Sequence, residues 1–383
     1  MVTSFPKDPN TPHGGVESVS VNLVRALSKL DDLELHVVTT DPNCNGAARS
    51  PWKNVMIHRL PRLGRRVLTG AVWAGRRQMR DYLTALAPDV VHTHDFYGLM
   101  VKGLSIPRVF TIHGFIYGDT KLAGEKLSWL RWRMWRRVET SGWADQPHII
   151  SISPYVRERL AGISTGTIHD IDNPISPQCF EIERDERKGT LFSAALICPR
   201  KNPIRLVEAL AKLVTEGFDA ELRLAGAISE PGYGQRLEQV IRTLGLRDRV
   251  KLLGRLSAEQ VRQELAHASV FVLVSLEENS PMGIEEAMAA GVPVVTSNRC
   301  GMPYMVRDGE TGFLVDPNNP DDIAWRLGQV LQDDALRASM GAKSREIAQD
   351  RFHPAVIARR TREVYLRAVC DRTQSNGFVL TRC

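Results

Sequence analysis

The 383-residue chain contains no run of about 18 uninterrupted apolar residues, so its sequence offers no membrane-spanning helix. The opening MVTSFPKDPN lacks the basic start and apolar stretch of a secretion leader. Cysteine is sparse: six residues, no CxxC pair and no Cys/His spacing of a zinc site, which excludes a structural zinc module of that kind. Scattered thiols without a leader point to a reducing cytosol. Short repeats and low-complexity tracts are absent, which argues against a solenoid. No nucleic-acid-binding motif is present. The net charge of +6 is too small to argue for nucleic acid, but it suits an anionic partner such as a nucleotide, a phosphorylated acceptor or an acidic membrane.

What is present is alternation. LELHVVTT (33–40), VMIHRL (55–60), DVVHTHD (89–95), RVFTIHG (108–114) and HIISIS (148–153) read as strands. SVNLVRALSKL places Val19, Leu23, Leu27 and Leu30 on one helical face. The rhythm restarts near residue 190 with TLFSAAL, ELRLAG, VKLLG, VFVLVS and PVVTS. Ser257 and Gln260 form a capping box, and Gly245 is a natural helix stop. Alternating β and α implies parallel sheets covered by helices, hence an α/β fold of two doubly wound, Rossmann-like domains. The expected divisions are 1–170, a polar linker at 171–189, 190–352, and a non-periodic tail at 371–383 that is expected to be disordered. Ligands of such sheets bind outside the carboxyl ends of the strands, which places the chemistry on those loops and in the cleft facing both domains.

SLEENSPMGIEEAMAAGVPVV (275–295) follows the buried strand VFVLVS. Glu278 falls in the loop and Glu286 in the first helical turn. Backbone N–H groups at such a helix start can bind phosphate, and the flanking carboxylates can accept hydrogen bonds from hydroxyls of two sugars. Acids at a helix start are also favoured by its dipole alone, so both readings stand on these residues. The Glu278-to-Glu286 spacing followed by AMAAGVPVVTS resembles the E-x7-E signature of retaining glycosyltransferases of family 4, which have the GT-B fold. The resemblance extends through GGVESVSVNLVRAL (14–27), VVHTHD, FTIHG, SISPYVRERL, RKNPIRLVEAL, ELRLAG, VKLLGRL and VRDGETGFLVDPNNPDDIA. It ends in RFHPAVIARRTREVYLRAV, which is similar to the closing helix (353–370) that returns to the N-domain in that fold.

The resemblance implies roles residue by residue. Glu278 would contact donor-sugar hydroxyls and Glu286 the ribose. Amides from Asn279, Ser280, Met282 and Gly283 would hold sugar and phosphate, while Pro281 has no N–H to give. Lys201 falls on the diphosphate lysine, where a cation meets the charge growing on the leaving group. Gly14 and Gly15 would approach the diphosphate or acceptor closely, and Gly226, Gly254, Arg255 and Leu256 would line the donor. His113 would lie beside the donor sugar, although a lone histidine is more often structural. His13, Glu17, His94, Asp95 and Tyr97 fall on the acceptor side. The mechanism implied is front-face displacement, in which the two glutamates position rather than protonate. Asp170-Ile171-Asp172 spells DxD, a metal-holding pattern of a different transferase fold. In a GT-B protein cations and amides manage the diphosphate, so no metal and no cofactor is expected.

Two departures stand out. Leu196 occupies the place of an arginine five residues before Lys201, and Arg200 is the candidate replacement. Tyr304 occupies the place of a glutamate in CGMPYMV. The first strand, MVTSF, is also short. The N-domain is arginine-rich at Arg59, Arg62, Arg65, Arg66, Arg76, Arg77 and Arg80. In KLSWLRWRMWRRVE (126–139), Leu127, Leu130, Met134 and Val138 form an expected core stripe opposite Trp129, Trp132, Arg133 and Arg136. That arrangement suits either a buried helix or an anionic membrane interface. The reading is therefore a cytoplasmic, metal-independent, retaining hexosyltransferase using a nucleoside-diphosphate sugar and a hydroxyl acceptor. A lipid-linked polysaccharide precursor at the inner membrane face is one such acceptor. A silent nucleotide-sugar-binding relative or scaffold subunit, and a sugar-nucleotide epimerase on the same fold, remain open alternatives.

Overall fold

A computed structural model describes residues 1–63, 74–115 and 128–375. The chain divides into two units, Met1–Pro174 with Pro354–Cys383, and Ile175–His353. Arg65, Arg66 and Leu127 lie outside the described residues, as does the tail from 376.

Unit 1 runs α1 (Gly15–Leu27), β1 (His36–Asp41), β2 (Ala48–Trp52), β3 (Val55–Pro61), α2 (Gly75–Leu86), β4 (Val91–His94), α3 (Tyr97–Met100), β5 (Arg108–Ile112), α4 (Ser128–Trp143), β6 (His148–Ser151), α5 (Pro154–Leu160) and β7 (Thr167–Asp170). Its strands pair as β1-β3-β2 and β4-β5-β6-β7. Only β2 runs antiparallel, folding back on β3. The short first segment joins the two groups: Val2 bridges in parallel to Val38 of β1 and to Thr93 of β4. Alternate strand residues face opposite layers. Val109 and Ile150 pack with α1, whereas Phe110 and Ile149 pack with Trp135 and Trp143 of α4.

Unit 2 runs β8 (Thr190–Ala194), α6 (Pro203–Thr215), β9 (Glu221–Ala225), α7 (Pro231–Thr243), β10 (Val250–Gly254), α8 (Ala258–His267), β11 (Val270–Leu273), α9 (Met282–Ala289), β12 (Val294–Ser297), β13 (Gly312–Val315), α10 (Pro320–Gln332) and α11 (Asp334–Arg351). The six strands are parallel in the order β10-β9-β8-β11-β12-β13. Buried Val, Leu, Ile and Phe fill both faces of this sheet, as a doubly covered sheet requires. The capping box at α8 is formed, Ser257 Oγ accepting from Gln260 N at 3.2 Å and Gln260 Oε1 from Ser257 N at 2.8 Å.

The segment expected as a linker is instead built into both cores. Ile171 is buried in unit 1, and Ile175, Cys179 and Ile182 are buried in unit 2. Part of its charge is engaged in unit 2: Arg184 donates to the carbonyls of Leu265 and Ala268 at 2.6 Å each, and Glu186 accepts from Arg337 at 2.7 Å. The closing helix α12 (Pro354–Ser375) belongs to unit 1 and continues past the expected end at 370. Its Ile357, Ala358, Val364, Tyr365 and Ala368 are buried with α1 and the sheet. The Tyr365 hydroxyl lies 2.7 Å from His92 Nδ1, both groups buried. A buried hydrogen bond left half-made costs about 1–3 kcal/mol. Tyr365→Phe should therefore lower unfolding stability by about that much in a urea titration, whereas Leu366→Ala, at an exposed neighbour, should change it by less than about 0.5 kcal/mol.

Candidate functional site

In unit 2 the strand order reverses between β8 and β11, the place where open α/β sheets bind ligands. Arg200 and Lys201 sit in the short turn Pro199–Lys201 after β8, and Glu278 in the loop after β11. The structure brings these three together. Arg200 Nη1 lies 3.0 Å from Glu278 Oε1 and also donates to the Glu277 carbonyl at 2.9 Å. Lys201 Nζ closes on the same Glu278 oxygen, and the Glu278 side chain is only 10% exposed. Two cations thus meet one carboxylate at the end of β8. Asn202 locks the turn in the left-handed region at φ 59°, donating through Nδ2 to the carbonyls of Pro317 (2.7 Å) and Val274 (3.3 Å). Leu196, 45% exposed, lines a small cavity with Lys201 and offers that cavity no charge.

The remaining donor candidates also sit at strand ends. Gly226 follows β9 and Gly254 ends β10, joined by Gly226 N donating to Gly254 O at 2.7 Å. A Cβ at Gly226 would fall 1.9 Å from the Ala195 carbonyl oxygen, and one at Gly283 2.9 Å from Phe271 Cζ, so both glycines let backbone pack close. Arg255 is exposed and Leu256 half-buried on the core. Asn279, Ser280 and Met282 are half-buried, and Pro281 is the N-cap of α9. The four glutamates of the motif divide by environment. Glu285 is buried and accepts from Ser280 Oγ at 2.7 Å, which ties the loop to the helix. Glu286 is half-buried; burial pushes its carboxyl up to about 7, with Arg262 of α8 pulling the other way. The same carboxylate, added to burial, drives the Cys179 thiol well above its usual range.

In unit 1 the candidates form a ring cluster. His94 Nδ1 lies 2.7 Å from His113 Nε2, and the two rings stack at 5.0 Å. The His92 ring lies tilted against His94, 4.4 Å between centroids, and its Nε2 lies 2.7 Å from Thr111 Oγ1. Burial holds all three imidazoles below their ordinary value, with neighbouring positive charge adding to the effect at His92 and His94. Asp95 Oδ1 accepts from the amides of His113 (2.8 Å) and Gly114 (3.3 Å), and burial raises its carboxyl despite His113 nearby. Three acceptor-side candidates make structural contacts in this geometry. Tyr97 is buried, and its hydroxyl is engaged by Thr40 N at 3.1 Å and Thr40 Oγ1 at 3.0 Å, because α3 needs that tie to β1. His94 is buried behind His113, and Asp95 holds the turn that carries His113. Glu17 accepts from His13 N at 2.6 Å, which ties the preceding loop to the first turn of α1, while Gly14, at φ 90°, has open space beside it and Gly15 begins the helix. Asp170 of the DxD sequence pairs with Arg157 at 2.7 Å.

Sequence reasoning missed Asn202, Glu285, Arg262 and Gly301. Gly301 N donates to Glu278 O at 2.8 Å, and a Cβ there would sit 1.8 Å from Asn279 O. Asn202-Pro203 is a turn signal legible in the sequence; the other three depend on tertiary neighbours.

Cations and a carboxylate at the switch point of a Rossmann-like unit, in a chain with a second such unit, define a glycosyltransferase of the GT-B type. The comparisons agree. Residues 13–178 match the model described as Glycosyltransferase Family 4, and 177–347 match Glycosyl transferases group 1. The chain belongs to the family 4 glycosyltransferases. It is 26% identical to an uncharacterized glycosyltransferase of Methanocaldococcus jannaschii over 346 residues, covering 88% of this chain and 90% of that one. In fold it is similar to a sucrose-phosphate synthase from Thermosynechococcus elongatus, with a TM-score of 0.78, 21% identity and 96% and 98% of the chains covered. It is also similar to Anabaena HepE in complex with UDP-glucose, with a TM-score of 0.71, 18% identity and 96% and 99% covered.

The raised Glu286 carboxyl has a sign in stability. The folded state keeps this proton until about pH 7, whereas an unfolded glutamate releases it near 4.5. Its contribution is present below about 4.5 and lost as pH rises through 7. Glu286→Gln should melt higher than the wild type at pH 8 and with little difference at pH 4.5. A gap of the same size at both pH values would contradict the assignment.

Proposed function

We propose that the chain is a retaining, metal-independent hexosyltransferase that takes its sugar from a nucleoside-diphosphate donor held by unit 2. The observation that carries the reading is the grip of Arg200 and Lys201 on Glu278 beside the β8–β11 reversal. In the transfer, the bond from the sugar's anomeric carbon to the donor phosphate oxygen breaks. The acceptor hydroxyl oxygen bonds to that carbon from the same face, and its proton passes to the departing phosphate oxygen. Lys201 and Arg200 meet the charge that develops on the diphosphate, Arg200 standing in for the arginine that Leu196 replaces. Glu278 and Glu286 receive hydroxyls of the hexose and of the ribose, so Glu286 acts as its anion. For His113, on its Asp95-anchored turn, the family resemblance implies a role toward the donor sugar. The acceptor is a hydroxyl of a glycan, with a lipid-linked polysaccharide precursor as the class to test, and the reaction runs in the cytoplasm.

UDP-glucose, present in the HepE complex, is the first donor to try. A thermal-shift panel of UDP, GDP, ADP and their hexose conjugates should give a rise with one nucleotide family, since a ligand of the native state raises the melting temperature. With that donor, slow nucleotide release without acceptor is expected. Lys201→Ala should cut turnover about 100-fold or more, the scale of one lost transition-state charge contact, while weakening donor binding less. An unchanged release rate in that variant would remove the diphosphate role. Binding without any nucleotide release in the wild type would favour a silent binding subunit.

A further inference from the structure

The imidazoles at the ends of β4 and β5 meet through their ring nitrogens, and their surroundings give the direction of the hydrogen bond. His94 Nδ1 faces His113 Nε2 at 2.7 Å, so one of these nitrogens carries the proton and the other accepts it. The far sides of the two rings differ. His94 is 1% exposed, and its Nε2 is buried with no hydrogen-bond partner among the described residues. The His113 ring is met by Asn173, a buried residue after β7 whose side chain favours a proton on that ring. Asn173 Oδ1 is itself a buried acceptor with no donor recorded among the described side chains.

A neutral pair has two arrangements. If His113 Nε2 donated, His94 would carry its proton on Nε2, a buried N–H with no acceptor. If His94 Nδ1 donates, its Nε2 keeps only a lone pair, and the His113 proton sits on Nδ1, where Asn173 Oδ1 can take it. A buried N–H without an acceptor is the rarer state and the dearer one, so the second order holds.

The neighbouring charges agree with neutral rings. Burial first, then the adjacent rings and the Met1 amino terminus, oppose charge on His94. Asp95 favours charge on His113, but its Oδ1 is spent on the amides of His113 and Gly114. His92 turns its nitrogens to Tyr365 and Thr111, both at 2.7 Å, and so does not compete for His94.

We propose that His94 is a positioning residue for the transfer: by donating from Nδ1 it fixes His113 as the Nδ1–H tautomer, turned to Asn173, and leaves that ring no spare nitrogen for acid–base work. His113 then meets the donor sugar with ring carbon and backbone, as a fixed neutral surface. The part played toward the sugar rests on the function proposed above; the tautomer does not.

The wild-type chain alone gives the first test. Long-range proton–nitrogen correlation on chain labelled with ¹⁵N-histidine shows which ring nitrogen bears the proton, and the His113→Gln spectrum assigns the signal. His113 is expected with its proton on Nδ1 and uncharged from about pH 8 to about pH 5. A proton on Nε2, or titration near the ordinary value of about 6.5, overturns the proposal. His94→Asn places an NH₂ donor near the former Nδ1, so it should keep both the tautomer and the rate of nucleotide release from the donor. His94→Phe keeps the bulk without the donor. It should raise the pH at which His113 charges and cut kcat about tenfold at pH 6, the scale of one hydrogen bond, with KM little changed. Equal losses in the two variants would mean packing alone and would also overturn the proposal. If the wild type releases nucleotide from no donor, the proposed function fails, and the spectrum by itself decides the tautomer.

Discussion

One carboxylate shared by two cations organises the unit 2 site. Arg200 and Lys201 are neighbours in a tight turn, and two positive charges so close repel unless an anion lies near them. Glu278 supplies that anion from another loop, so the pairing also fixes the β8 loop to the β11 loop. Other contacts serve the same end. Leu276 N donates to Arg200 O at 2.8 Å, Asn202 braces the turn from behind, and Gly301 N donates to the Glu278 carbonyl. Cations fixed by such contacts can stabilise developing charge without rearranging.

Unit 1 treats charge in the opposite way. Its histidines lie on adjacent strand ends, yet burial keeps them neutral, so they supply hydrogen bonds and stacked surface rather than positive charge. The cations suited to a diphosphate are those of unit 2. The division matches a reaction in which the phosphate is the more charged partner and the acceptor hydroxyl the more neutral one.

Much of this was legible in the residues. The βα rhythm, the capping box at Ser257 and the position of Glu278 and His113 at strand ends followed from local pattern, because those features depend on neighbours in sequence, whereas Lys201 was picked out by the family resemblance. What was not legible depended on distant neighbours. Strand β7 was hidden because TIHD is short and polar. The 171–189 segment read as a linker because its charges find their partners some 80 to 150 residues away, at Leu265, Ala268 and Arg337. Tyr97 read as a ligand contact because only the fold places Thr40 against its hydroxyl. The α4 wheel was legible in part: Trp129, Arg133 and Arg136 are exposed as expected, whereas Leu130 and Met134 are exposed and Trp132 packs on the core with Trp135, a choice made by tertiary neighbours.

The crowding at Gly301 bears on how this protein can change over generations. A side chain there would strike the Asn279 carbonyl, and the backbone beside it carries Glu278. That position is closed to drift, whatever donor the descendants use. Arg255, exposed at the end of β10, carries no such restriction. Space for a different side chain exists at Arg255 and is missing at the glycine under the glutamate loop.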